Sequence, residues 1–339
     1  MTTTTPIATA PLGTGGPLVG VQGLGCMGMS FAYGPTDATE ARATLERALD
    51  LGVTLFDTAD LYGMGENEKF LAPFLAAHRD EVTIATKFGL SFDPERPAER
   101  PIRNDPAYIR SAVEASLRRL GTDVIDLYYM HRYTPEVPLE DSVGTMAELV
   151  TEGKVRHLGL SEVTGAELRT AHAIHPIAAL QSEWSLFSRD VERTAVPAAK
   201  DLGVAFVPYS PLGRGFLTGA FADASTDLGD DDFRRGQPRF NGENAAANRA
   251  LLDPIREVAR AHDATLGQIA LAWVQQQARR RDMTVIPIPG TRRRTRIEEN
   301  TAATRITLGD DELAALDAIG PRVAGDRYPD MNFSQAGRE

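Results

Sequence analysis

The chain has 339 residues, 42% of them apolar and 24% charged, with a formal net charge of -11. That apolar share supports a real buried core and excludes fibrous and disordered classes. The acidic balance argues against a general nucleic-acid binder. No stretch approaches the roughly 18 consecutive apolar residues that a membrane helix needs. The opening MTTTTPIATA carries neither a charged leader nor an apolar signal core, so a cytoplasmic protein is expected. The lone Cys26 fits a reducing compartment. Only Lys69, Lys87, Lys154 and Lys200 are lysine, so each lysine merits a reason.

The first ten residues read as a flexible N-terminus, and the glycine-rich Leu12 to Val19 as a small hairpin placed to close the bottom of a barrel. Apolar, β-rich runs then follow at Val21–Cys26, Val53–Asp57, Val82–Lys87, Val124–His131, Val155–Ser161, Ala179–Trp184, Val204–Ser210 and Thr284–Pro289. Amphipathic segments separate them. Asp37 or Thr39 caps a helix that stops near Gly52; Asp105-Pro106 opens one closed by Gly121; Leu139–Val150 ends near Gly153. Gly213–Asn248, rich in Asp, Arg, Gly and Asn, reads as a long loop, either a lid over the functional face or a solvated insertion. Helices are expected over Arg249–His262 and Leu266–Arg279, and an extra one over Asp310–Ile319 before a tail that reaches toward the barrel mouth.

Eight strand–helix units without a composition break predict a single (β/α)8 TIM barrel, an α/β fold spanning residues 11–320, with extra C-terminal helices and a tail at 321–339. The competing doubly wound fold is suggested by Gly23-x-Gly25-x-x-Gly28. That string needs a helix starting at the glycines, whereas Tyr33-Gly34-Pro35 marks a loop.

Barrel enzymes keep their chemistry at strand C-termini. Three apolar runs end in Asp57, Lys87 and His131, and Tyr62 lies in the loop just beyond Asp57. A phenol with a pKa near 10 can donate a proton if a neighbouring cation lowers it. Lys87 would be that cation, Asp57 its partner, and His131 a donor to a carbonyl oxygen. Such a set assists hydride addition to C=O but supplies no hydride, so a cofactor is implied. Taken singly, each residue also fits a capping, ion-pair or rim role. A Schiff-base aldolase using Lys87 would fit the same barrel.

The run Arg292-Arg293-Arg294-Thr295-Arg296 follows the last strand, where backbone N–H groups and guanidinium forks bind phosphate, or where a solvated helix face lies. No aromatic residues are interleaved with it, which argues against nucleic acid. His172 and His175 lack the companions of a metal site, so no metal is expected. Tyr209 could be a platform for a flat ring, and Ser161 and Gln181 could contact one.

Phe56-Asp57-Thr58-Ala59-Asp60-Leu61-Tyr62-Gly63, the Lys87 strand end, Tyr129-Met130-His131-Arg132 and Ile286-Pro287-Ile288-Pro289-Gly290-Thr291 occur in the order seen in the aldo-keto reductases, which the chain resembles over nearly its whole length. The run Gly159-Leu160-Ser161-Glu162, with Tyr209-Ser210-Pro211-Leu212-Gly213-Arg214-Gly215, is most similar to a bacterial and plant branch with broad aldehyde substrates. The resemblance implies NADPH as cofactor, Tyr62 as proton donor, Lys87 and Asp57 tuning it, and His131 orienting the carbonyl.

It further implies that Ser161, Gln181 and Tyr209 meet the nicotinamide and that Ser210, Leu212 and Arg214 follow the pyrophosphate. Gly290, Thr291, Arg292 and Arg296 would clamp the adenosine 2′-phosphate, with Glu299 and Asn300 near the adenine. Two positions depart from the family pattern. Glu162 stands where many members have Asn, and Gly290 where lysine is frequent. The implied partner is a small carbonyl compound, not nucleic acid or a membrane, in a pocket formed near Met27, Phe88, Trp184 and the Gly213–Asn248 stretch. Some relatives are thought to be cofactor-sensing regulatory subunits without turnover, so that reading stands beside the enzymatic one.

Overall fold

The computed structural model describes residues 5–91 and 101–339. The first four residues of the expected flexible N-terminus lie outside the described ones. From Thr5 onward the chain is tied to the barrel base: the Ile7 amide donates to the Leu51 carbonyl at 2.9 Å and the Val21 amide to the Ala8 carbonyl at 2.8 Å. Strands β1 (Thr9–Pro11) and β2 (Leu18–Gly20) form the antiparallel hairpin, with Leu12–Pro17 as its turn rather than its body.

A parallel sheet then runs in sequence order through β3 (Leu24–Gly25), β4 (Leu55–Asp57), β5 (Thr83–Phe88), β6 (Ile125–Met130), β7 (Val155–Ser161), β8 (Ile177–Glu183) and β9 (Ala205–Tyr209). The eighth stave, 284–290, makes no regular ladder, because Pro287 and Pro289 have no N–H to give. It still closes the barrel. The Ile286 and Ile288 amides donate to the Phe206 and Pro208 carbonyls at 2.9 and 3.0 Å, and the Gly23 amide donates to the Pro287 carbonyl at 3.0 Å. Gly25 bridges Gly290 on the same side. A Cβ at Gly23 or Gly25 would come within 2.9 Å of Ile288. The Gly-x-Gly string is therefore a seam in the barrel wall.

Helices follow the strands as α1 (Ala38–Asp50), α2 (Glu66–Ala77), α3 (Pro106–Leu120), α4 (Leu139–Thr151), α5 (Gly165–Ile174) and α6 (Ala195–Leu202). Asp37 caps α1 through the Thr39 and Glu40 amides, and Asp105, Pro106 and a left-handed Gly121 bracket α3. The stretch expected as an open loop is folded instead. It carries α7 (Ala224–Asp227), α8 (Gly242–Ala250) and short 3-10 turns around the packed rings of Phe216, Phe221 and Phe240. Its Phe233 amide reaches across the mouth to the Ala32 carbonyl. The helix expected from Arg249 breaks at Leu251, so α9 runs Leu252–Ala261; α10 (Leu266–Arg281), α11 (Arg294–Ala302) and α12 (Asp310–Asp317) complete the set.

Side chains alternate across the wall with period two. Leu55, Ala85, Leu127, Tyr129, Ala179, Ala205, Val207, Ile286 and Ile288 fill the interior over a floor of Leu12 and Val19, while Phe56, Ile84, Phe88, Tyr128 and Phe206 pack against the helices. The inward parity continues upward into Asp57, Lys87, Ser161, Gln181, Glu183 and Tyr209. Phe88 and Trp184, expected to line the substrate pocket, do not. Each sits one position beyond an inward residue and faces out, fully buried. Phe88 packs on Tyr128, and Trp184 packs on Phe206 and Trp273, its indole N–H bonded to Glu192.

Gly159 stands at the layer where Tyr129 lies, and a Cβ there would come within 2.4 Å of the Tyr129 ring. That ring cannot swing away inside a packed barrel. Gly159→Ala should therefore cost about 1–3 kcal/mol by overpacking. Urea unfolding measures it, and stability equal to wild type would show that the ring has room.

Candidate active site

Four inward positions meet at the upper rim. The register aligns Asp57 with Ala85 and Lys87 with Tyr129, so strand twist brings the Lys87 ammonium beside the Asp57 carboxylate. Lys87 is fully buried, with its Nζ 2.5 Å from Asp57 Oδ1, 2.7 Å from the Thr58 carbonyl and 3.5 Å from Tyr62 Oη. The second Asp57 oxygen accepts from Gln181 Nε2 at 2.8 Å. His131 faces the Tyr62 ring edge-on at 5.9 Å between centroids, and Phe31 stacks on Tyr62 at 6.3 Å.

The electrostatics follow from this packing. Burial works against charge on Lys87, but the Asp57 carboxylate and the Tyr62 oxygen outweigh it and hold the ammonium above its usual range. Burial pushes Asp57 up, and the same ammonium pulls it back. Burial also raises the Tyr62 phenol more than Lys87 lowers it, so the hydroxyl keeps its proton at neutral pH. The expectation that the lysine lowers this phenol thus holds only for the lysine's own contribution. His131 is driven well below 6.5, first by burial, then by the charges of Arg132 and Lys87. Its imidazole is neutral at this rim, and its Nδ1 has no protein partner among the described residues.

The other expected positions fall in two groups. Ser161, Gln181, Tyr209 and Arg214 surround the same rim. Leu212 leads away from it toward Glu299, both standing within 4 Å of where a Cβ on Gly267 would lie. Ser210, just after Tyr209, takes a left-handed backbone with φ 48°. Thr291 precedes α11, Arg296 lies in its first turn and Glu299 and Asn300 further along it, Gly290 sits in the seam, and Met27 lies half-buried in a 3-10 turn beside the mouth. Arg292 is turned away from this group. Its guanidinium binds the carbonyls of Gly28, Tyr33 and Gly34 and the Thr36 hydroxyl, fastening the loop after β3. Arg294 pairs with Glu40, and Arg296 with Glu299. Arg293, exposed at the N-cap of α11, presents the cation that Arg292 does not.

Several contributors went unforeseen. Glu162 is fully buried and saturated. Its Oε1 accepts from the Glu183 amide, Tyr209 Oη and Arg327 Nη1 at 3.1, 2.8 and 3.0 Å; its Oε2 accepts from Arg327 Nη2 and the Gln335 amide at 3.1 and 3.2 Å. Arg338 reaches the Glu162 carbonyl at 2.6 Å, and Tyr328 joins Tyr209 and Arg214. The tail is thus a wall of the mouth. The one sequence signal was the departure at Glu162, a carboxylate that needs a cation. Arg132, 4% exposed, donates to the Ser161 hydroxyl at 3.3 Å. Its place in the Tyr129-Met130-His131-Arg132 run gives it no role from sequence alone.

With this geometry described, the comparisons with known proteins place the chain. The aldo/keto reductase family model matches residues 23–321. The chain belongs to that family, oxidoreductases that act on carbonyl and alcohol groups of small molecules and generally use nicotinamide cofactors. Among solved structures it is similar to the glycerol dehydrogenase AKR11B4 from Gluconobacter oxydans, at 28% identity and TM-score 0.82, covering 97% of this chain and 99% of that one. It is also similar to aldo-keto reductase AKR11C1 from Bacillus halodurans in its holo form, at 27% identity and TM-score 0.76, covering 96% and 100%. The thermostable aldo-keto reductase Tm1743 matches at 27% identity and TM-score 0.72, covering 93% and 100%. Among the described residues no cluster of His, Cys, Asp and Glu is arranged to hold a metal, and no helix is long and apolar enough to cross a membrane.

The Glu162 carboxyl is held at about 2 against its ordinary 4.5; burial opposes this, and the Arg327 and Arg132 charges overcome it. A lowered carboxyl stabilises the fold fully above 4.5, and that stabilisation fades as pH falls toward 2. Glu162→Gln should lose roughly 3 kcal/mol at neutral pH and have a shallower acid limb in melting temperature. An unchanged limb would mean that other carboxylates set it.

Proposed function

We propose that the protein reduces an aldehyde or ketone to an alcohol with NADPH, Tyr62 giving the proton and His131 orienting the carbonyl. The observation that carries this reading is the chain from Tyr62 Oη to Lys87 Nζ to Asp57 Oδ1, with steps of 3.5 and 2.5 Å, at the rim of an apolar barrel. The residues suit a pyridine dinucleotide. Buried Arg132 Nε has no protein partner among the described residues, the half-buried Tyr209 ring borders the same space, and the exposed guanidinium groups of Arg293 and Arg296 stand at the start of α11. When bound, NADPH supplies the hydride that the side chains lack.

The side chains do the rest. Neutral His131 donates to the carbonyl oxygen and fixes its direction without carrying a charge that would compete for it. The Tyr62 Oη proton moves to that oxygen as negative charge builds there. The phenolate left behind faces the Lys87 ammonium, which Asp57 and the Thr58 carbonyl hold charged and in place. The same path run backward oxidises an alcohol. Lys87 is poorly suited to a Schiff base, because attack needs the neutral amine and three oxygens stabilise the ammonium. NADPH consumption against a panel of aldehydes and ketones tests the reading. Tight NADPH binding without turnover would favour the sensing role, and borohydride trapping of substrate on Lys87 the aldolase.

Two outcomes sharpen the test. Tyr62→Phe should lower kcat about 10²- to 10⁴-fold with NADPH affinity kept, as loss of a general acid does. Retained turnover where chemistry limits the rate would remove Tyr62 from the proton path. Arg293→Ala with Arg296→Ala should weaken NADPH about tenfold or more and NADH far less, since each charged contact to phosphate is worth about 1.5–3 kcal/mol. Equal loss for both cofactors would place the 2′-phosphate elsewhere.

A further inference from the structure

We infer that Arg132 holds the carboxamide of the nicotinamide. The inference rests on the cofactor reading above and adds a residue to it. A carboxamide oxygen needs a donor. Glu162 cannot serve, because it is an acceptor and both its oxygens are filled by Tyr209, Arg327 and the amides of Glu183 and Gln335. Gln181 has one of its two amide N–H bonds committed to Asp57, and the Ser161 hydroxyl already accepts from Arg132. Arg132 is the charged donor at this rim. It is buried, yet its Nε–H has no protein partner among the described residues. An unsatisfied buried guanidinium N–H carries a cost that a ligand oxygen removes.

Its position suits the task. Arg132 directly follows His131, and its Nη1 is fixed between the His131 carbonyl at 2.7 Å and the Ser161 hydroxyl at 3.3 Å. The Phe333 ring lies 4.8 Å from the guanidinium and covers it. Phe333 belongs to the tail that Glu162 pins through Arg327 and Gln335. The acid at position 162 therefore acts at one remove: it anchors the tail, the tail carries Phe333 onto Arg132, and Arg132 faces the ring's polar substituent. Burial works against the Arg132 charge, and the Tyr209 and Tyr328 oxygens, followed by the Glu162 carboxylate, outweigh it and raise its pKa.

The test uses the full chain and ligand affinity rather than turnover. Dissociation constants are measured for NADPH, for 2′,5′-ADP, and for NADP+ against its nicotinic acid analogue, in which a carboxylate replaces the carboxamide. Arg132→Met should weaken NADPH about tenfold to a hundredfold, the loss of a charged hydrogen bond, and leave 2′,5′-ADP unchanged. Wild type should favour the carboxylate analogue over NADP+, and Arg132→Met should reverse that order. Should Arg132→Met fail to fold, Phe333→Ala at the surface should weaken NADPH several-fold with 2′,5′-ADP unaffected. NADPH affinity unchanged in both variants overturns the assignment, as does a loss confined to aldehydes bearing a carboxylate, which would make Arg132 a substrate anchor. Absence of NADPH binding to wild type would instead sink the cofactor reading, and this inference with it.

Discussion

One buried ion pair organises the barrel mouth. An ammonium in an apolar interior carries a desolvation cost of several kcal/mol, recovered only by a close counter-charge and further hydrogen bonds. Lys87 has both, from Asp57 and the Thr58 carbonyl, and Gln181 satisfies the remaining carboxylate oxygen. Below this layer lie the buried apolar side chains of Leu55, Ala85, Leu127 and Ile288. The pair stays at the rim, and its field acts alongside burial on its neighbours. Burial, then the Arg132 and Lys87 charges, drive His131 toward the neutral form, and burial keeps Tyr62 protonated against the pull of the ammonium. Burial and charge together place a proton donor and a neutral hydrogen-bond donor side by side.

Much of this was legible because strand alternation is rigid. Apolar runs that end in Asp57, Lys87 and His131 can expose those groups only at the top of a barrel, and the caps at Asp37, Asp105 and Gly121 mark their helices through local hydrogen bonds. The same rule, applied one residue further, excludes Phe88 and Trp184 from the pocket, since each follows an inward neighbour. The last stave was visible as an apolar run but not as a ladder, because Pro287 and Pro289 donate nothing. Arg292 shows the limit of charge patterns: a run of arginines says where cations are and nothing of which will be taken up by nearby carbonyls.

What sequence could not carry is long range. Glu162 and Arg327 are 165 positions apart, and no local periodicity links them. The insertion between β9 and α9 is equally opaque. Its composition resembles solvated loop, yet Phe216, Phe221 and Phe240 are spaced to form a small core only once the chain has turned back on itself.

Insertion and tail are joined to each other as well as to the barrel. Asn248 of α8 exchanges two hydrogen bonds of 2.8 Å with the backbone of Ala324, and Arg239 reaches both Ser188 and the Gly325 carbonyl. Beneath them, three carboxylates (Glu162, Glu183, Asp190) are interleaved with three guanidinium groups (Arg214, Arg239, Arg327). Such a network adds little net stability over apolar packing, but removing any member strands a buried charge. It therefore fixes the tail in one register more than it strengthens the fold. That register decides which residues wall the mouth, so the specificity of the site depends on contacts made far from the reacting atoms.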